Sequence, residues 1–109
     1  MIRGMGYHIT HRWGDMEDEP PLDSLSALYD ELESEDEEHP GVSLTHESEW
    51  NLGAYGGGLL IWEKLEAENH EAHHMENVPR EKVLDLWRKL AQGKIDEINE
   101  EPWLPGYGS

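Results

Sequence analysis

Apolar and polar residues alternate along Gly6-Tyr7-His8-Ile9-Thr10-His11-Arg12-Trp13, which sets Tyr7, Ile9, His11 and Trp13 on one side. Alternation of aromatic and β-branched residues at period two predicts a first strand. The acidic stretch Asp15-Met16-Glu17-Asp18-Glu19 reads as a turn closed by Pro20-Pro21. From Leu22 the period changes. Leu22, Leu25, Leu28, Tyr29 and Leu32 recur at helical spacing and predict an amphipathic helix to about Ser34, with its acids outside. The two prolines suit its first turn, where no N–H partner is needed.

Glu35-Asp36-Glu37-Glu38-His39-Pro40-Gly41 is expected to be a loop, because like charges repel and Pro-Gly forces a turn. Residues 42–46 and 50–55 alternate again, joined by the short connection of a hairpin. Gly56-Gly57-Gly58 then precedes the most apolar stretch, residues 59–65, which reads as the central strand. Phosphate-cradling glycines need a helix directly behind them. A strand follows these, so they read as a hairpin turn. Residues 66–77 are polar and rich in Glu and His, a loop pattern. Pro79 opens a second helix with Val83, Leu84, Trp87, Leu90 and Ala91 on one face and Gly93 just past its end. Ile95 and Ile98 continue as a short turn or helix, and residues 102–109 form an extended tail whose aromatics pack back. The fold expected is α+β: a single antiparallel sheet of about four strands with two main helices packed on one face.

Length and charge narrow the function. A chain of 109 residues is read as one acidic domain, 1–109. With no cysteine, neither disulfides nor thiolate metal sites contribute. No apolar run suggests a leader or a membrane span, so a cytoplasmic, membrane-free protein is expected. Twenty-five acids against eight Lys and Arg give a net charge of −17, which disfavours direct contact with nucleic acid and favours a basic protein partner. The five Trp and four Tyr argue against a disordered acidic tail.

The sharpest catalytic motif is His70-Glu71-Ala72-His73-His74, which matches the H-E-x-x-H zinc pattern. Its surroundings offer little apolar face for a packed helix, and no histidine follows His74 to act as a third ligand. Adventitious metal binding by His70, His73 and His74 is the weaker functional reading, and a solvated loop the plainer one. No serine sits in a nucleophile elbow, and carboxylate pairs are meaningless by spacing alone among so many acids. The protein is therefore expected not to be an enzyme and to need no cofactor. Acidic blocks flank the first helix, which makes Asp15, Asp18, Glu19, Glu35, Asp36 and Glu37 the candidate contact face, with Trp50 or Tyr55 as anchor. Trp62 and Trp87 read as core.

The order of these elements resembles the Imm1-type immunity proteins of bacterial polymorphic toxin systems. The resemblance rests on a strand ending in Trp13, the Pro20-Pro21 lead-in to a Leu-patterned helix and the hairpin strands. The helix of Val78-Pro79-Arg80-Glu81-Lys82-Val83-Leu84-Asp85-Leu86-Trp87 and the run Gly93-Lys94-Ile95-Asp96 to Glu100-Glu101-Pro102-Trp103 complete it. The His-rich loop and the Trp-Leu-Pro-Gly-Tyr tail depart from it. It implies a neutraliser that occludes the active site of a nuclease- or deaminase-type toxin domain. A nucleic-acid mimic and a His-based metal-binding protein are the alternatives. Whether the chain is a monomer or a homodimer is left open.

Overall fold

The computed structural model describes residues 6–33, 41–65 and 72–106. Seven strands form one antiparallel sheet: β1 (Tyr7–Thr10), β2 (Met16–Asp18), β3 (Gly41–His46), β4 (Trp50–Tyr55), β5 (Leu59–Lys64), β6 (His73–Met75) and β7 (Leu104–Pro105). They lie in the order β2-β1-β3-β4-β5-β6-β7. Three α-helices accompany them: α1 (Leu25–Asp30), α2 (Arg80–Ala91) and α3 (Ile95–Asn99). The α+β class is as expected, and α3 is the short helix expected at Ile95 and Ile98, but the sheet has seven strands where about four were expected.

Each extra strand has a physical reason. The acidic stretch expected to be a turn supplies β2, because Met16, Glu17 and Asp18 pair with Thr10, Ile9 and His8. The turn lies earlier, where the His11 N–H donates to the Asp15 carbonyl at 2.7 Å. Part of the expected polar loop forms β6, which pairs with β5 through Leu60–Met75, Ile61–His74 and Trp62–His73. The tail adds β7 against His73 and His74. The first helix is also shorter than expected, with α1 flanked by single 3-10 turns at Leu22–Ser24 and Glu31–Glu33.

Directly paired residues share a face, so the register sorts the side chains. One face carries Ile9, Val42, Leu44, Leu52, Ala54, Leu60, Trp62 and Met75, all in the main core. Helix α2 covers it with Val83, Leu84, Leu86, Trp87, Leu90 and Ala91, each buried. Trp87 is fully enclosed, and its Nε1–H donates to the Leu52 carbonyl at 3.0 Å. Leu25 and Leu28 of α1 and Ile98 of α3 complete the layer. The helix ends as its sequence dictates: Gly93 takes φ +78°, its N–H reaches the Leu90 carbonyl, and Lys94 N–H reaches Lys89. This is the Schellman pattern, in which a left-handed glycine lets the chain satisfy the last carbonyls.

The opposite face carries Thr10, His8, Thr45, Asn51, Tyr55, Ile61, Glu63 and His74. Among the described residues no helix contributes to a core on this side. The Tyr55 ring lies over Gly41 and Gly53, where an added Cβ would stand 2.5 and 3.2 Å from ring carbons. Those two glycines leave room for an aromatic cover. The triple glycine is a turn, as expected, and Gly58 adopts φ +81° with its carbonyl accepting from Val78 N–H at 2.9 Å.

Truncating Trp87 to Ala removes both a large buried volume and a hydrogen bond, and should cost about 3–5 kcal/mol. Leu104→Ala, at an exposed edge position, should stay within about 0.5 kcal/mol. Urea unfolding of both variants checks this ordering, and equal losses would contradict the assignment of the core face.

Candidate functional site

Two concave regions with different chemistry stand at different parts of the sheet. The first is the acidic edge. Residues Trp13 to Glu19 are all exposed, and β2 is the outermost strand on that side. Carboxylates on a short edge strand prevent pairing with other chains. They also put Asp15, Glu17, Asp18 and Glu19 in open solvent. A shallow groove of about 260 Å³ runs beside them, lined by Gly6, Tyr7, His8, Asp18, Glu19 and Glu47. Among the described residues, Asp18, Glu19 and Glu47 form no ion pair. The Tyr7 hydroxyl donates to the Pro20 carbonyl, and burial followed by the Glu19 charge raises its pKa.

One histidine knits this edge to the helical side. His11 Nδ1 lies 2.6 Å from Glu31 Oε2 and Nε2 lies 3.1 Å from Glu17 Oε1. Both ring nitrogens face carboxylates, an arrangement that only the imidazolium, with two N–H donors, satisfies fully. Burial disfavours that charge, but the hydrogen bonds and charges of Glu31 and Glu17 outweigh it, so the pKa is raised above 6.5. The Trp13 ring stacks on the imidazole at 5.5 Å, and Glu31 also accepts from the Arg12 backbone N–H at 2.9 Å.

The second region is built from tryptophan. Trp50, Trp62 and Trp103 line a cleft of about 270 Å³ with His73, Asn99 and Glu101. Trp50 stacks on Trp62 at 4.5 Å between centroids and 15° between planes, and Trp103 follows Trp62 at 6.1 Å and 14°. Strand register aligns the first two, since Leu52 pairs with Trp62 and Trp50 with Lys64 on the same face. The indole N–H groups are anchored inward: Trp62 to Asn99 Oδ1 at 2.8 Å, Trp103 to the Ile98 carbonyl at 2.7 Å. Glu101 accepts from Lys82 Nζ at 2.8 Å.

Asp18 and Glu19 therefore border one groove and Asp15 is exposed just before β2, whereas Glu35, Asp36 and Glu37 lie outside the described residues. The two candidate anchors do not share a face. Trp50 is on the helix-covered side and Tyr55 on the other, a consequence of their five-residue separation in a strand of period two. His70 and Glu71 lie outside the described residues, and His73 and His74 sit on a strand instead of the loop expected. Neighbouring strand positions point to opposite faces. His73 lines the tryptophan cleft, while His74 is buried with Nδ1 3.1 Å from the Gly106 carbonyl oxygen. Among the described residues, no group of three metal-ligating side chains is assembled. The tryptophan cleft was not anticipated, although three tryptophans near strand ends and in the tail were the available signal.

No family model, no curated protein and no solved structure matches this chain. Among the described residues, no helix is long and apolar enough to cross a membrane.

Sign and pH range follow for His11. Its folded pKa exceeds the unfolded one, so its stabilisation is complete below 6.5 and is lost as pH rises through the raised value. His11→Gln should therefore cost more stability at about pH 5.5 than at about pH 8.5. Urea titrations of both proteins at the two pH values test it, and an equal or reversed gap would exclude the carboxylate clamp.

Proposed function

We propose that the protein is an acidic binding module that neutralises a basic protein partner, acting as an immunity-type inhibitor of a nuclease- or deaminase-type toxin domain. The observation that carries this reading is the exposed β1–β2 edge, where Asp18 and Glu19 border a groove with Glu47 and Asp15 is exposed just before β2. The net charge of −17 supports the same reading. Residues 1–79 hold 19 acids and three Lys or Arg, whereas residues 80–109 hold six acids and five Lys or Arg. The cations of α2 are largely spent internally, on Asp30, Glu101, Asp85 and Glu97. A negative surplus of this size accelerates the approach of a basic surface. An inhibitor of this kind needs no chemistry of its own, only a complementary surface that excludes substrate.

The test is co-expression with a toxin-like domain encoded beside this chain, scored by survival, together with association kinetics for the purified pair. Rescue should accompany an on-rate that falls about tenfold or more between about 50 and about 500 mM salt. Replacing Asp15 and Asp18 by Asn and Glu19 by Gln should slow association about fivefold while changing dissociation less than about twofold. Neither rescue nor binding, or binding indifferent to salt and to these three residues, would refute the reading.

A further inference from the structure

We propose that His11 is a proton-operated latch for the hairpin of β1 and β2. As an imidazolium it ties Glu17 of the outer strand to Glu31 beyond α1. On losing its proton it keeps Glu31 and releases Glu17, which leaves β2 held by backbone pairing alone. The latch is a property of the fold and goes beyond the binding role proposed above.

The geometry carries the asymmetry. Nδ1 lies 2.6 Å from Glu31 Oε2, and Nε2 lies 3.1 Å from Glu17 Oε1. A neutral ring keeps one N–H, so one of the two carboxylates must then face a lone pair. Glu31 has the stronger claim on the remaining proton. Its side chain is 14% exposed against 51% for Glu17, and it also accepts from the Arg12 backbone N–H at 2.9 Å. A mostly buried carboxylate that loses a donor bears the full desolvation cost, whereas one half in water turns into solvent. Acceptor against acceptor at 3.1 Å is repulsive, so Glu17 is the side that lets go.

The surrounding charges favour the closed state. Around the ring stand Glu17 on β2, Glu31 after α1, and Arg12, whose side chain donates to the Glu31 carbonyl at 2.7 Å. Asp15 in the turn accepts from Trp13 Nε1 at 3.1 Å, and Asp30, next to Glu31, is held by Arg80 at 3.2 Å. Burial disfavours the charge on His11, but the hydrogen bonds and charges of Glu31 and Glu17 more than offset it, so its pKa stands above 6.5. The latch is therefore closed below 6.5 and opens as pH rises through the raised value. Strand β2 is one that a lost tie can open: all three of its residues are exposed, and it pairs only with β1. Segments without buried side chains open locally, at free energies well below global unfolding. The Trp13 ring, stacked on the imidazole at 5.5 Å and 6°, loses its seat with the same event.

The experiment follows the full chain by NMR from about pH 5.5 to about pH 8.5, with the His11 ring resonances giving its titration. Amide exchange, corrected for the intrinsic effect of pH, reports hairpin opening at two bonds. One is His11 N–H to the Asp15 carbonyl at 2.7 Å, the other Glu19 N–H to the Tyr7 carbonyl at 2.9 Å. Protection of both should stay below that of the β4 amides and fall about fivefold or more at the midpoint of the His11 titration. Glu17→Gln offers a donor as well as an acceptor and so suits the neutral ring; it should reduce the fall to less than about twofold. His11→Gln should abolish the fall as well. Unchanged resonances of β3, β4 and β5 verify the fold of both variants. Protection independent of pH, a fall that survives Glu17→Gln, or protection equal to that of the β4 amides at every pH would each overturn the latch.

Discussion

The packing of α2 across β3 and β4 is the interaction on which the rest of the molecule depends. Trp87 is its centre, fully enclosed and hydrogen-bonded to the backbone of the strand beneath it. A buried indole N–H left without an acceptor would cost roughly 1–3 kcal/mol, so the Leu52 carbonyl fixes the helix's position as well as its stability. Among the described residues, one twelve-residue helix with two shorter ones beside it does not roof all seven strands. Strands β2 and β7 are the outermost of the sheet, and its second face carries polar residues such as Thr45 and Asn51. The surfaces available for recognition follow from that imbalance between a wide sheet and a narrow helical layer.

The central elements were legible because burial writes itself into side-chain periodicity. The residues of β3 and β4 alternate, β5 is a continuous apolar run, α2 repeats apolar residues at helical spacing, and Gly93 marks its end. The strands missed are those whose side chains face water. All three β2 residues are exposed, and β7 contains only Leu104 and Pro105, so backbone pairing alone makes them strands. Backbone hydrogen bonds leave no mark on residue type. In β6 the misreading had another source: His73 and His74 suggested a solvated loop, yet one lines a cleft and the other is buried. The separation of Trp50 from Tyr55 was legible in principle, since an odd interval along one strand puts two side chains on opposite faces.

The candidate sites were legible to different degrees for the same reason. The acidic edge is contiguous in sequence, so Asp15, Asp18 and Glu19 could be grouped before any fold was known. The tryptophan cleft draws on β4, β5, β6 and the segment after α3, residues separated by up to 53 positions from Trp50 to Trp103. Only the register Leu52–Trp62–His73 brings those residues side by side. Composition announced five tryptophans without saying that three would stack.

Acidity of this degree also raises a problem that the fold must solve, because like charges on one edge oppose its formation. His11 is part of the solution. Its ring bridges Glu17 of the exposed strand and Glu31 beyond α1, while Arg12 adds its side chain to the Glu31 carbonyl at 2.7 Å. Arg12, and His11 in its imidazolium form, place positive charge against Glu31, and neither lines the groove that Asp18, Glu19 and Glu47 border. The carboxylates that hold the hairpin down are thus Glu17 and Glu31, and those left facing outward are Asp18, Glu19 and Glu47. A division of labour among acids so close in sequence explains how one edge can be both stably folded and strongly negative. It also explains why charge counting alone, which treats all 25 acids alike, locates a surface only after the internal pairs have been subtracted.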